Sequence, residues 1–266
     1  LSLLIDQGEE AAQGRWQANE EEYDDLDELL DGTDDPAVVV LGPPGGGKST
    51  LLRRLELDTA IAGLRGEGGS ADRVTFFLSL NTYQPARPGD PLPAPGEWLA
   101  ERWASRSPDL QSLDDLLAEG RVTLLLDALN EMPAASEADF HERVGLWKDW
   151  LVHLAGEHAG NRVVVSCRSL DYSQSLSTPD LRVPQVRIEP LTDEQVEDFL
   201  ALYSPGHRRE IWSALEGRPQ LEVLRSPYFL ALLVEQVDAT GEMPAGRAGL
   251  FTGFVRQALR REVERG

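Results

Sequence analysis

The 266-residue sequence predicts an α/β fold, a doubly wound and mostly parallel sheet followed by a small all-helical domain. Three observations predict it. Short, near-continuously apolar runs recur between residues 37 and 167, as expected of parallel strands covered on both faces. Stretches with helical periodicity alternate with those runs. Past residue 190 helical patterns dominate and no further buried strand is evident.

The elements follow in chain order. Residues 1–35 hold 13 acids against the single base Arg15, a net −12 of the whole chain's −21. Leu26, Leu29 and Leu30 stand there at helical spacing, so this acidic lead-in is expected to be partly helical, the alternative being a charged, disordered linker. Ala37 to Leu41 (AVVVL) reads as the first buried strand, and Ser49 to Leu64 as a helix ended by Gly66, Gly68 and Gly69. Val74 to Leu80, Val122 to Leu129 and Arg162 to Cys167 supply further strands, while Phe140, Val144, Trp147, Leu151 and Leu154 follow a 3.6-residue period. The Pro-rich stretch from Gln84 to Glu97 is expected as a surface loop. Thr192 with Gln195 three residues later forms a capping box, and helices are expected over Asp193 to Leu202, Arg208 to Leu215, Pro227 to Val237 and Leu250 to Val263. The division expected is a lead-in over 1–35, an α/β core over 36–190 and a helical lid over 191–266.

Composition excludes several functions. The chain is strongly acidic and carries no basic stripe, so direct nucleic-acid binding is not expected. No apolar run approaches the roughly 20 residues a membrane helix needs. The single cysteine, Cys167, cannot form an internal disulfide, which points to a reducing, cytoplasmic setting, and its place in an apolar run reads as a small buried residue rather than a redox centre. The chain opens at Leu1 and closes inside a charged helical pattern, so a segment of a longer protein is expected.

The chemistry concentrates in GPPGGGKST: Gly42, Pro43, Pro44, Gly45, Gly46, Gly47, Lys48, Ser49 and Thr50. It has the Walker A spacing, between a strand and a helix, that a phosphate loop requires. Glycines let the backbone turn its N–H groups inward, and the helix N-terminus adds a positive dipole end. Lys48, one of two lysines beside 23 arginines, would reach the β and γ phosphates, Ser49 would ligate Mg²⁺, and Thr50 would sit near the α phosphate. The spacing predicts the nucleotide-binding loop of a P-loop NTPase. A second metal-side oxygen is expected from an acid ending a neighbouring strand, and Asp127 ends Val122 to Leu126; otherwise it is a strand-end turn residue. Glu131 is the candidate general base, because Asn130 can orient a water but cannot accept its proton; a solvated loop acid is the alternative. Arg168 follows its strand at the carboxyl edge of the sheet and could sense the γ phosphate, unless it is an ordinary surface or salt-bridged arginine.

With GPPGGGKSTLLRRL, LLLDALNEM, VVVSCRS and the later SPYFLALL in this order, residues 36–266 resemble the NACHT family of STAND signal-transduction NTPases. The family's acidic motif runs aspartate, small residue, hydrophobic residue, then two acids. Here Asp127, Ala128, Leu129, Asn130 and Glu131 depart from it at Asn130, which bears on hydrolysis more than on binding. Arg168 matches the family's sensor arginine, and Pro227 the helical-domain proline near the adenine, besides being a helix-start proline. The resemblance implies ATP or ADP with Mg²⁺ and a nucleotide-controlled switch: ADP holds the helical domain closed, and ATP releases it so that protomers assemble into a homo-oligomer. It also implies slow hydrolysis, a role in signalling or innate defence, and effector and sensor domains outside this segment. A turnover ATPase of the AAA+ motor type, a nucleotide-locked scaffold and a small-molecule kinase are the competing expectations. The kinase has least support, since no arginine-bearing lid is evident.

Overall fold

The computed structural model describes residues 3–6, 22–66, 73–87, 89–244 and 246–265. Gly68, Gly69 and most of the acidic lead-in, residues 7–21, lie outside the described residues. The elements run β1 (Leu3–Asp6), β2 (Glu22–Tyr23), α1 (Leu26–Gly32), β3 (Ala37–Gly42), α2 (Lys48–Arg65), β4 (Val74–Ser79), α3 (Pro95–Arg106), α4 (Leu113–Ala118), β5 (Val122–Asp127), α5 (Glu137–Glu157), β6 (Arg162–Arg168) and β7 (Gln185–Ile188). They continue as α6 (Asp193–Tyr203), α7 (Arg208–Leu215), α8 (Gln220–Leu224), α9 (Pro227–Thr240) and α10 (Gly246–Arg265).

Sheet order is β2-β1-β7-β3-β6-β5-β4. The five strands from β7 to β4 are parallel, and β1 runs antiparallel to both β7 and β2. The α/β class expected from the apolar runs is the one observed. Because successive side chains in a strand point to opposite faces, Val39, Leu41, Leu124, Leu126, Val163 and Val165 pack on one side with α3, α4 and α5. The intervening residues face the other side, where Arg53 of α2 lies 3.5 Å from the Phe77 ring centre. Helices therefore cover both faces.

By contacts the chain divides into two compact units, residues 2–43 with 48–188, and 44–47 with 189–266. The first unit holds the sheet. Three of its strands, β1, β2 and β7, lie outside the expected elements: β1 holds the short apolar run Leu3–Ile5 at the head of the acidic lead-in, β2 is two residues long, and β7 is four residues long with Arg187 exposed between buried neighbours. In the lead-in, Leu26, Leu29 and Leu30 are buried on α1, as their spacing predicts. The Pro-rich stretch forms a loop up to Ala94 and then starts α3 at Pro95, where a missing N–H costs nothing in the first helical turn. In the second unit α6 to α10 surround a core that includes Val196, Leu200, Ile211, Leu230, Leu233 and Phe254. Helix α8, which the sequence pattern does not mark, contributes Leu221 and Leu224. Among the described residues no helix is long and apolar enough to cross a membrane.

Candidate nucleotide-binding site

β3 ends at Gly42 and α2 begins at Lys48, so Pro43–Gly47 make a loop between a buried strand and a helix N-terminus. Gly45 and Gly47 take positive φ angles of 73° and 90°, which an L side chain tolerates poorly. The Lys48 ammonium donates to the carbonyls of Gly42 and Pro43, each at 2.9 Å. Burial first, and then the Arg168 guanidinium, push its pKa down, while Asp127 and Glu131 pull it up. Lys48, Arg168, Asp127 and Glu131 thus lie within electrostatic reach of one another.

The parallel register brings these groups together. Gly42 pairs with Arg168 across β3 and β6, and Leu126 pairs with Val165 across β5 and β6, so the carboxyl ends of three adjacent strands carry the loop, Asp127 and Arg168. Asp127 is buried, and both of its oxygens are hydrogen-bonded. Ser49 Oγ donates to Oδ2 at 2.8 Å and Ser166 Oγ donates to Oδ1 at 2.6 Å. The same Ser166 oxygen accepts the Ala128 N–H at 2.8 Å. That contact holds a strained residue: Ala128 sits at φ 61°, ψ 59°, among the described residues the one non-glycine with positive φ. This left-handed step ends β5 at Asp127, two residues short of the expected Leu129, and turns the chain into a 3₁₀ turn over Leu129–Glu131.

Glu131 Oε1 accepts from Arg168 Nη2 at 2.6 Å, both side chains being 42% exposed. Asn130 accepts the Arg168 backbone N–H at 3.1 Å and donates to Asp171 Oδ2 at 3.2 Å. Cys167 is buried, and burial pushes its thiol up to about 11, which leaves it a protonated packing residue. Thr50 is exposed in the first turn of α2. In the second unit Pro227 opens α9, and its neighbours grip the loop tip: Ser226 Oγ donates to the Gly45 carbonyl at 3.0 Å and the Tyr228 N–H to the same oxygen at 3.3 Å. Arg225, just before Ser226, donates to Leu191 O and to Asp193 Oδ1 at the start of α6, both at 2.6 Å. Sequence reasoning missed Ser166, although a hydroxyl inside an otherwise apolar buried run is a readable signal.

A glycine-rich loop between strand and helix, on a parallel sheet whose neighbouring strand ends in a buried acid, defines the P-loop NTPase class. A family model for the NACHT domain matches residues 36–205, and the chain belongs to that family, whose members are nucleotide-binding NTPase domains. No curated protein sequence matches the chain. Among solved structures, the fold is similar to a chain of an Escherichia coli HORMA:CdnC:Trip13 complex, with TM-score 0.50 and 15% identity over 82% of this chain and 73% of that one. A second similarity, with TM-score 0.46 and 14% identity, is to a Pyrococcus horikoshii signal transduction ATPase with a tetratricopeptide repeat sensor, covering 78% of this chain and 28% of that one.

Proposed function

We propose that this chain is an ATP/ADP-binding, Mg²⁺-dependent module that acts as a nucleotide-controlled oligomerisation switch in a cytoplasmic signalling or defence protein and hydrolyses ATP slowly. The observation that carries the reading is the 2.8 Å approach of Ser49 Oγ to Asp127 Oδ2. Two cis oxygens of an octahedral Mg²⁺ site, at 2.0–2.1 Å from the ion, stand about 2.9 Å apart, so this pair fits the ion. Ser49 and Asp127 would hold Mg²⁺, which supplies charge neutralisation at the β and γ phosphates when bound.

The chain's own residues do the rest. N–H groups of the loop cradle the phosphates. Lys48 exchanges its bonds to Gly42 O and Pro43 O for phosphate oxygens, and the anion relieves its repulsion with Arg168. Arg168 contacts the γ phosphate, Thr50 lies by the α phosphate and Pro227 near the base. Glu131 takes a proton from the attacking water after leaving Arg168, an exposed partner that it can exchange. ATP in place of ADP then drives assembly into a homo-oligomer together with flanking effector and sensor domains, without nucleic acid or membrane binding by this segment.

A nucleotide-locked scaffold without hydrolysis is the second reading, favoured by the engagement of Glu131 with Arg168 and of Asn130 with Asp171. For both readings, titration calorimetry with ATP, ADP and GTP should show adenine nucleotide binding that Lys48→Ala weakens by roughly 100-fold or more, about 2.7 kcal/mol, with an unchanged far-UV spectrum. Unaltered ATP affinity in that variant would overturn both. Sedimentation of the full-length protein with its trigger, in ADP and in ATP, tests the switch, and a monomer in both states would exclude it.

A further inference from the structure

The nucleotide site occupies the carboxyl edge of the parallel sheet. The opposite edge carries another cluster of potential ligands. There α5 ends and the chain turns into β6, and His153, Glu157 and His158 bring one donor atom each to within 4.8 Å of one another. Among the described residues it is the one group of three or more His, Cys, Asp or Glu with that spacing. We propose that these three side chains form a site for one divalent transition-metal ion of the Zn²⁺ class.

Helix geometry sets the first pair. His153 and Glu157 are four residues apart, hence on one face, and His153 Nδ1 stands 3.4 Å from Glu157 Oε1. Two ligands of a tetrahedral zinc at 2.0–2.1 Å lie about 3.3 Å from each other, so this pair is already spaced for the ion. His158 follows at the C-cap, its ring 6.2 Å from that of His153 and at 89° to it. Two imidazoles and a carboxylate suit Zn²⁺, whereas Mg²⁺ and Ca²⁺ prefer all-oxygen sites. Three protein ligands leave the fourth position to water.

The backbone under the cluster is fixed before any ion arrives. The His158 N–H closes the last turn on Leu154 O at 2.9 Å. Its carbonyl accepts from Asn161 Nδ2 at 2.8 Å; the buried Asn161 also donates to Leu117 O at 2.7 Å and accepts the Val122 N–H at 3.0 Å. Arg73 donates to Gly160 O at 2.6 Å. The turn also presses against Gly120, where a Cβ would come 2.5 Å from Ala159 O. A third ligand on an anchored turn loses little entropy on binding. The carbonyl end of α5 adds a negative potential that favours a cation.

The test uses the tag-free chain, stripped with EDTA and titrated calorimetrically with ZnCl₂ in excess Mg²⁺, which occupies hard oxygen sites. One Zn²⁺ per chain is expected. His153→Ala and His158→Ala should each weaken it roughly tenfold or more, and His141→Ala, on the same helix but outside the cluster, should leave it unchanged. The far-UV circular dichroism spectrum and melting temperature of each variant verify folding independently of zinc. Absence of saturable zinc uptake would overturn the site, as would uptake that the double variant His153→Ala/His158→Ala retains.

Discussion

Asp127 and Glu131 are separated by three residues and behave as opposites. Asp127 is 8% exposed, ends the buried strand β5 and has a hydroxyl donor on each oxygen. Glu131 sits in a short turn, 42% exposed, with one ion-pair partner that is equally exposed. A buried carboxylate bonded at both oxygens is fixed before any ligand arrives, and removing a partner leaves a charge in low dielectric. An exposed pair is worth at most about 1 kcal/mol and is readily exchanged. The site is therefore rigid where it would hold an ion and loose where it would move a proton.

The contrast breaks most sharply at Glu131. Glu131→Gln keeps the shape and a hydrogen-bonding oxygen for Arg168 but cannot accept a proton. Single-turnover phosphate release should fall by about 10²- to 10⁴-fold, with ATP affinity nearly unchanged. The melting temperature should hardly move, since the lost pair is exposed. An unchanged rate would remove Glu131 from catalysis and favour the scaffold reading.

At Asp127 the rigidity rests on a residue that carries no charge. Ser166→Ala strips one donor from the buried carboxylate and the acceptor from the Ala128 N–H, a destabilisation of about 2 kcal/mol. A positioning role predicts more than instability. The Mg²⁺ concentration that half-saturates ATP binding should rise several-fold, and Ser166→Thr, which keeps the hydroxyl, should restore it. Loss of stability without a change in Mg²⁺ dependence would make Ser166 a packing residue.

How much of this was legible in the sequence follows from what each feature depends on. β3, β4, β5 and β6 announce themselves because both faces are covered and the runs stay apolar. Loop spacing and the acid at a strand end are local, and so were readable at Gly42 to Thr50 and at Asp127. β1 and β7 were not, because each is only four residues long and takes its place through its pairing with neighbouring strands rather than through a long apolar run of its own. Ser166 acquires its role from register, which sets it beside Asp127, and no single-strand pattern encodes register. Asn130 could be noted as a departure from two acids, but its grip on the Arg168 backbone depends on how Ala128 turns the chain. The zinc cluster needs both the helical phase of His153 and Glu157 and the place where α5 stops.

Ala128 separates the two acids, and the smallest predicted effect lies there. At φ 61° and ψ 59° an alanine carries a strain of about 1–2 kcal/mol that glycine would not. Glycine in turn makes the unfolded chain more flexible, at a cost of roughly 0.5–1 kcal/mol. The difference is a net gain on the order of 0.5 kcal/mol, so Ala128→Gly should raise the melting temperature by about 1–2 °C, whereas the β-branched Ala128→Val should lower it by more. Because the strain is intrinsic to the backbone, the gain should persist in the Ser166→Ala background, where the N–H of residue 128 has lost its acceptor. A gain that vanishes there would mean that Ser166 imposes the left-handed turn. The rigidity at Asp127 and the break toward Glu131 would then have a single origin in that one hydroxyl.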